Sequence, residues 1–251
     1  MRAHENLQSN PHPVRLVEFF GLPGAGKSTL AVGLARTLKA SGVDVVSSAA
    51  MTASGRSFPQ RLFRRLALVC RAYPILVLHL RSTRLVLGLK QATVRDAIKS
   101  IWNFWTVLSV SRVHGSRPGP VMIVDEGLLQ AIWSAHMGQT GAGEIAQWHD
   151  LAEAAGLLET CFVIVDTNST IARRRLTQRK AKTSRMQAKE RLHDAELWNR
   201  GQRTKTEIVS YLRDWLARAG LKDRVIVVDA GETDPAELVR SIRTFLHQHG
   251  L

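Results

Sequence analysis

Short apolar runs that end at a polar or glycine position recur five times along the chain and predict five buried strands. Three of the runs end in aspartate, in the sequences VMIVD, FVIVD and VIVVD. Because polar residues do not alternate with the apolar ones, the runs are typical of parallel strands that helices cover on both faces. The predicted strands are Leu16–Phe20, Val43–Val46, Val121–Val124, Phe162–Val165 and Val225–Val228.

Between these runs, apolar residues repeat with a helical period. Leu30, Leu34 and Leu38 lie four residues apart and predict a helix over Ser28–Ala40. Near the C-terminus, Asp234 followed by proline is a helix start signal, with the aspartate as N-cap. The further predicted helices occupy a long basic and aromatic region from about Phe58 to Val113, then Leu128–Ala155, Ile171–Arg179, Ala188–Ala219 and Pro235–His249.

The alternation of strands and helices predicts an α/β fold with a mostly parallel sheet. We expect a single domain over residues 14–251, since this length suits one large core. Within it, about 49–118 is expected to form a helical acceptor or interaction region, and about 170–190 an arginine-rich lid. Residues 1–13 are polar, contain two prolines and lack the apolar core of a signal peptide, so we expect a flexible tail.

Cysteine content and hydropathy favour a cytoplasmic location. The chain has only Cys70 and Cys161, which supply no disulfide framework and suit a reducing compartment. The apolar stretch Leu66–Leu80 is interrupted by Arg71 and Pro74 and is shorter than the roughly 20 residues that cross a bilayer. We therefore expect no transmembrane span there.

The formal net charge of +14 indicates attraction to anions, which include nucleotides, phosphorylated substrates, nucleic acids and acidic membranes. Basic residues are densest over Arg56–Arg65 and Arg173–Arg185, where a solvated face is the alternative interpretation. No RNA-recognition signature, zinc-finger spacing or basic zipper occurs, so no specific nucleic acid partner is expected. The basic, leucine-rich helices between the second and third strands would suit a peripheral membrane contact or a homodimer.

The segment GLPGAGKS, Gly21–Ser28, matches the phosphate-binding pattern G-x-x-x-x-G-K-[ST]. It lies between a predicted strand and a predicted helix, as that pattern requires. Gly21, Gly24 and Gly26 allow the backbone to turn with its N–H groups facing inward, and Ala25 is assigned to the same cradle. The bound phosphates are expected to be those of ATP.

The side chains that follow the glycines, together with the third strand, supply the candidate catalytic and metal-binding groups. Lys27 is expected to reach the β- and γ-phosphates, Ser28 to ligate Mg²⁺ and Thr29 to contact the α-phosphate. Asp125 ends a Walker B-like strand, where it would hold Mg²⁺ or accept a proton from an acceptor hydroxyl. Glu126 is the second catalytic carboxylate, which would contact substrate or activate water. Capping of the next helix is the alternative role for both.

An arginine cluster follows the fourth strand in the sequence DTNSTIARRRLTQRK. Its members are Arg173, Arg174, Arg175 and Arg179, of which Arg175 and Arg179 are four residues apart and share a helical face. Guanidinium groups stabilise the charge on a transferring phosphoryl group, so these two are catalytic candidates and Arg175 is also a nucleotide-binding candidate. A mobile lid is the functional interpretation, and a solvated or acid-binding face is the alternative.

The layout resembles the nucleoside and nucleotide kinase branch of P-loop proteins, with thymidylate kinase and the deoxynucleoside kinases as similar families. The similar segments are EFFGLPGAGKSTLAVGLARTL, VIVDTNSTIARRRLTQR and VIVVDAGETDPAELVRSI, which together cover roughly a third of the chain. The resemblance implies a three-layer P-loop fold with a five-stranded parallel sheet in the order 2-3-1-4-5. It also implies ATP and Mg²⁺ as cofactors and phosphoryl transfer to a small-molecule acceptor.

Two departures from those kinases prevent transfer of their acceptor specificity. Phe20 precedes the first loop glycine where they typically carry glutamate, and Asp125–Glu126 replaces their D-R pair. The segment VDEGLLQAIWS is instead similar to kinase-like proteins associated with bacterial polysaccharide gene clusters. In the resembling kinases the region between the second and third strands builds the acceptor pocket. Here it contains Trp102 and Trp105, for which the core is favoured over a stacking platform.

Three functional classes therefore remain open. A small-molecule kinase is favoured, with an acceptor that is nucleoside-like, nucleotide-like or of a sugar or lipid type. An ATPase that couples hydrolysis to a regulatory or binding role is supported by the consecutive Asp125 and Glu126, but no L-S-G-G-Q signature occurs. A nucleotide-dependent binding protein would use the positive charge. A GTPase is disfavoured, since no N-K-x-D motif occurs.

Overall fold

A computed structural model describes residues 14–48, 76–115, 119–139, 148, 159–179, 186 and 194–251. Within them, five strands form one all-parallel sheet in the order β2-β3-β1-β4-β5, which confirms the predicted 2-3-1-4-5 sheet. The strands are β1 Leu16–Phe20, β2 Val45–Ser47, β3 Val121–Val124, β4 Thr160–Asp166 and β5 Val225–Asp229.

Helices lie on both faces of this sheet. They are α1 Lys27–Ala40, α2 Leu76–Gly88, α3 Val94–Gly115, α4 Leu128–Gly138, α5 Ser169–Gln178, α6 Ala195–Arg218 and α7 Pro235–His247. Asp234 caps α7 by accepting a hydrogen bond from Ala236 N, as its position before the proline predicts.

The two-residue period of the strands sorts the core into two apolar layers. Val17 and Phe19 of β1 pack in a cluster with residues of α1 and α7, whereas Phe20 packs with residues of α3, α4 and α6. On β4, Val163 faces the first cluster and Phe162 the second. This division confirms the three-layer α/β fold. Because β1 is the central strand, the loop that follows it begins at the middle of the sheet.

Two helix boundaries differ from the sequence prediction. The helix expected over Leu128–Ala155 ends at Gly138, because Gln139 is extended (φ −81°, ψ 155°) and forms an isolated bridge with Gln91. The helix expected from Ala188 is described from Ala195, where the Asp194 carboxylate accepts a hydrogen bond from Leu197 N.

Several sequence predictions lie outside the described residues. They include the tail at 1–13, the basic segment Arg56–Arg65, Cys70, and parts of the acceptor region and the lid. Within the described part of the predicted acceptor region, α2 and α3 form a pair of packed helices joined by a turn at Lys90, whose φ is 48°. In the described part of the chain, no helix combines the length and apolarity needed to cross a membrane.

Candidate functional site

The glycine loop turns between β1 and α1 while touching β4 and α5. Gly24 and Gly26 have φ values of 88° and 97°, which side-chain-bearing residues rarely adopt. A Cβ atom at Gly24 would collide with the backbone carbonyl of Ala172, and one at Gly21 with that of Val165. The glycines therefore permit both the turn and the close approach of neighbouring backbone that fix the loop in place.

Lys27 lies folded into this loop. Its ammonium group donates to Gly21 O at 2.8 Å and Leu22 O at 3.0 Å, and the residue is only 7% exposed. Burial lowers the pKa of Lys27 to about 8, although the charges of Glu126 and Asp125 act in the opposite direction. A largely desolvated cation in a glycine-rich loop at the start of a helix suits the β- and γ-phosphates of a nucleotide.

Two serines hold the carboxylate at the end of β3. Ser28 Oγ donates to Asp125 Oδ2 at 2.7 Å, and Ser48 Oγ donates to Asp125 Oδ1 at 2.8 Å. The first contact brings together the two side chains assigned to Mg²⁺. The Ser28 hydroxyl and the Asp125 carboxylate are therefore two neighbouring oxygen ligands. Such a pair suits Mg²⁺, which binds one or two protein oxygens while phosphates and waters complete its shell. Ser48, which follows β2, was not predicted from the sequence.

A buried glutamate connects β1 to the helix that follows the two carboxylates. Glu18 is 1% exposed and accepts a hydrogen bond from Leu129 N at 2.7 Å, at the start of α4. Burial raises the pKa of Glu18 to about 7, against the lowering effect of that backbone N–H group. The signal in the sequence was a single charged residue inside an otherwise apolar strand, which requires a buried partner.

The four arginines of the cluster have different surroundings: two of them line a pocket and two do not. Arg175 donates to Ala230 O at 2.7 Å and Gly231 O at 2.8 Å, which ties α5 to the loop after β5. Arg175 and Arg179 both line the pocket beside the glycine loop. Arg173 instead lies over the ring of Trp198 at 5.4 Å, and the adjacent Arg174 is exposed.

A second lysine reaches the same edge of the sheet from α6. Lys205 is 5% exposed and forms an ion pair with Asp166 at the end of β4. The hydrogen bond from Lys205 lowers the pKa of Asp166. The positive charge of Lys205 also lowers the pKa of Lys27. Thr167 follows and donates to Ala25 O at 3.4 Å. Nothing in the spacing of the sequence brings Lys205 to the glycine loop, because α6 is placed by tertiary packing.

A cavity of about 360 Å³ lies between the glycine loop and the helices α3 and α4. The loop side includes Lys27, Ser28, Thr29 and Glu126, with Arg175 and Arg179 beside them. The opposite wall is built by side chains of α3 and α4, which are Lys99, Trp102, Asn103, Gln130, Trp133 and Ser134. This volume is within the range of small-molecule pockets.

Apart from Trp102, the wall residues were not individually predicted from the sequence. Gln130 is 8% exposed, and its Oε1 atom has no hydrogen-bond partner among the described residues. The two tryptophans make different contacts. Trp102 lines the cavity, whereas the Trp105 indole N–H donates a hydrogen bond to His79 O at 3.1 Å and the indole stacks on the imidazole ring of His79. Both side chains are half-buried, so neither tryptophan occupies the core position that the sequence favoured.

Comparison with known families agrees with this geometry. A family model described as an AAA domain (AAA_33) matches residues 16–202, which is more than half of the chain. The matched range contains the glycine loop, both carboxylates after β3 and the arginine helix. No curated protein matches the sequence.

Proposed function

Since this chain belongs to the AAA domain family of P-loop, kinase-like proteins, we propose that it is an ATP- and Mg²⁺-dependent kinase that phosphorylates a small-molecule acceptor. The observation that carries the proposal is the cavity, which continues from the glycine loop to a separate wall of polar and aromatic side chains. A protein that only hydrolyses ATP needs no such second wall. The compartment that supplies ATP and keeps Cys161 reduced is the cytoplasm, where we place the protein.

Each group beside the loop has a defined task in the proposed reaction. Lys27 and the loop N–H groups bind the β- and γ-phosphates, while Ser28 and Asp125 would hold Mg²⁺, which neutralises phosphate charge. An acceptor oxygen forms a bond to the γ-phosphorus as the bond to the β–γ bridging oxygen breaks, and ADP leaves. Asp125 is engaged by two serine hydroxyls, so we assign proton removal from the acceptor to the exposed Glu126, which lines the cavity.

The arginines and the far wall complete this assignment. Arg175 is held rigidly by two backbone carbonyls close to Gly26, so it is proposed to position the glycine loop and face the phosphates. Arg179 is exposed at the cavity and is proposed to stabilise the charge on the transferring group. Gln130 would accept a hydrogen bond from the acceptor through its unpartnered oxygen.

An ATPase is the second candidate function. The observation that favours it is again Glu126, because an exposed carboxylate directly after the metal-binding aspartate can also orient a water molecule for attack on the γ-phosphorus. The two functions differ in whether the far wall of the cavity binds a second substrate.

The decisive experiment measures ATP turnover with Mg²⁺, for the protein alone and with pooled nucleosides, nucleotides, sugars or lipid-linked acceptors. A kinase shows low basal turnover that one pool stimulates together with a new phosphorylated product. Lys27→Ala serves as the inactive variant, and Lys39→Ala, in the last turn of the same helix, is the matched control. Steady hydrolysis that no pool changes, yet that Lys27→Ala abolishes, would establish the ATPase instead.

A further inference from the structure

The outer face of α2 exposes large apolar side chains. Val77, Leu80 and Leu87 are 62%, 58% and 58% exposed, and Leu76 is 43% exposed. At about 100° per residue, these four positions and the exposed Arg81 and Arg84 fall within about 140° of the helix circumference. The opposite positions, which include Leu78 and Val86, are buried. Apolar and basic side chains therefore share one continuous face of this helix.

The first turns of α3 repeat the same composition. Val94 and Ile98 are 78% and 63% exposed, and the exposed Arg95 lies beside Val94 in the sequence. We define the docking face as the exposed residues of α2 together with Val94, Arg95 and Ile98 at the start of α3. Over residues 76–115 the chain has six lysines and arginines but a single carboxylate, Asp96, which pairs with the hydroxyl of Thr93 at 2.8 Å.

We propose that the docking face binds the surface of an anionic membrane, with its apolar side chains among the acyl chains and its basic side chains at the headgroups. An amphipathic helical surface with interleaved leucines and arginines gains both apolar burial and attraction to anionic lipid. Exposed leucines add nothing to a contact with nucleic acid phosphates. This inference goes beyond the proposed kinase and does not depend on it.

A second copy of the chain fits the same face less well. In a two-fold contact each face meets its own equivalent, which would bring Arg81, Arg84 and Arg95 towards the same residues of the other copy. Like charges that face each other in this way oppose association, and the one carboxylate of residues 76–115 that would compensate them is Asp96. The lipid headgroups of an anionic bilayer supply the missing negative charge.

The test is co-sedimentation with phosphatidylcholine vesicles that contain or lack phosphatidylglycerol. The double variant Leu80→Glu with Leu87→Glu changes two exposed apolar residues of the docking face. Its matched control is Val32→Glu with Val227→Glu, since these residues are 42% and 45% exposed elsewhere and the change in net charge is identical. We expect the wild type and the control to bind the anionic vesicles, and the docking-face variant to bind at least about tenfold more weakly.

A third variant, Arg81→Gln with Arg84→Gln, tests the basic half of the face. It is expected to weaken binding to the anionic vesicles more than binding to neutral ones, because only the headgroup attraction is removed. Circular dichroism checks that all three variants remain folded, which their exposed positions favour.

Three outcomes would overturn the proposal. Absence of wild-type binding to anionic vesicles excludes the membrane directly. Equal loss in the docking-face variant and its control would mean that overall charge, not this face, attracts the lipid. A wild-type dimer in analytical ultracentrifugation that only the docking-face variant dissociates, without vesicle binding, would assign the face to a second copy. Because vesicle binding is measured without ATP, none of these results depends on the kinase assignment.

Discussion

At the scale of single residues, the buried carboxyl group of Glu18 makes stability depend on pH. Its pKa is raised from 4.5 to about 7 by burial, so between these values only the folded state keeps the proton. The stabilising contribution is complete below about pH 4.5 and is lost as the pH rises through about 7. Over that window the loss is on the order of 3 kcal/mol.

Glu18→Gln keeps the size of the side chain but cannot lose a proton. We expect the wild type to lose more free energy of unfolding than Glu18→Gln between about pH 5 and about pH 8. Urea denaturation of both proteins at the two pH values measures the difference. Parallel pH dependence in the two proteins would contradict the assignment.

The two serines on Asp125 are expected to differ in their effect on the metal. Ser28 is itself assigned as a Mg²⁺ ligand, whereas Ser48 only orients the carboxylate. In ATP turnover, Ser28→Ala should therefore raise the Mg²⁺ concentration for half-maximal rate by roughly tenfold or more. Ser48→Ala should raise it less. A larger effect of Ser48→Ala would reverse the two roles.

At the scale of elements, the junction between β1 and α4 depends on a glycine. A Cβ atom at Gly127 would lie within 2.5 Å of Glu18 Oε2, and neither the buried strand nor the helix start can move freely. We expect Gly127→Ala to lower the free energy of unfolding by roughly 1–3 kcal/mol, as overpacking in a buried site does.

Gly88→Ala provides the comparison for Gly127→Ala. At Gly88, in the last turn of α2, a Cβ atom meets no described atom within 4 Å. Alanine there should be neutral or slightly stabilising, since it favours helix more than glycine does. Thermal unfolding of both variants checks the pair, and an equal change in both would show that close packing is not the cause.

The same elements show how far the sequence could predict the structure. The strands and the glycine loop were predicted because continuous apolar runs and the G-x-x-x-x-G-K-S pattern are local signals. Helix α4 was predicted too long, since its end at Gly138 depends on Gln139 pairing with Gln91 from another part of the chain. Local periodicity carries no information about such a pairing.

In the candidate site, too, residues marked by local sequence signals were predicted and residues placed by long-range contacts were not. Lys27, Ser28 and Asp125 were identified because a motif and a strand end mark them. Gln130 and Lys205 were missed, because only the packing of α4 brings Gln130 to the cavity, and only the packing of α6 brings Lys205 close enough to affect Lys27. Prediction from one sequence therefore named residues of the glycine loop and of the end of β3, and not most of the cavity wall, whose side chains come from helices placed by long-range contacts.

At the scale of the whole molecule, the net charge of +14 must attract nucleic acids at low salt, whatever the function. If this attraction is only electrostatic, affinity falls steeply with salt and does not depend on base sequence. We expect both features in fluorescence anisotropy with two unrelated DNA duplexes.

The two double glutamate variants designed for the vesicle experiment distinguish attraction by net charge from binding by the docking face. Leu80→Glu with Leu87→Glu and Val32→Glu with Val227→Glu reduce the net charge equally, so both should weaken DNA binding by the same modest factor. On anionic vesicles the same two variants should differ, because only one of them removes apolar contacts from the docking face. Sequence-dependent DNA binding that persists at high salt would instead show a nucleic acid site.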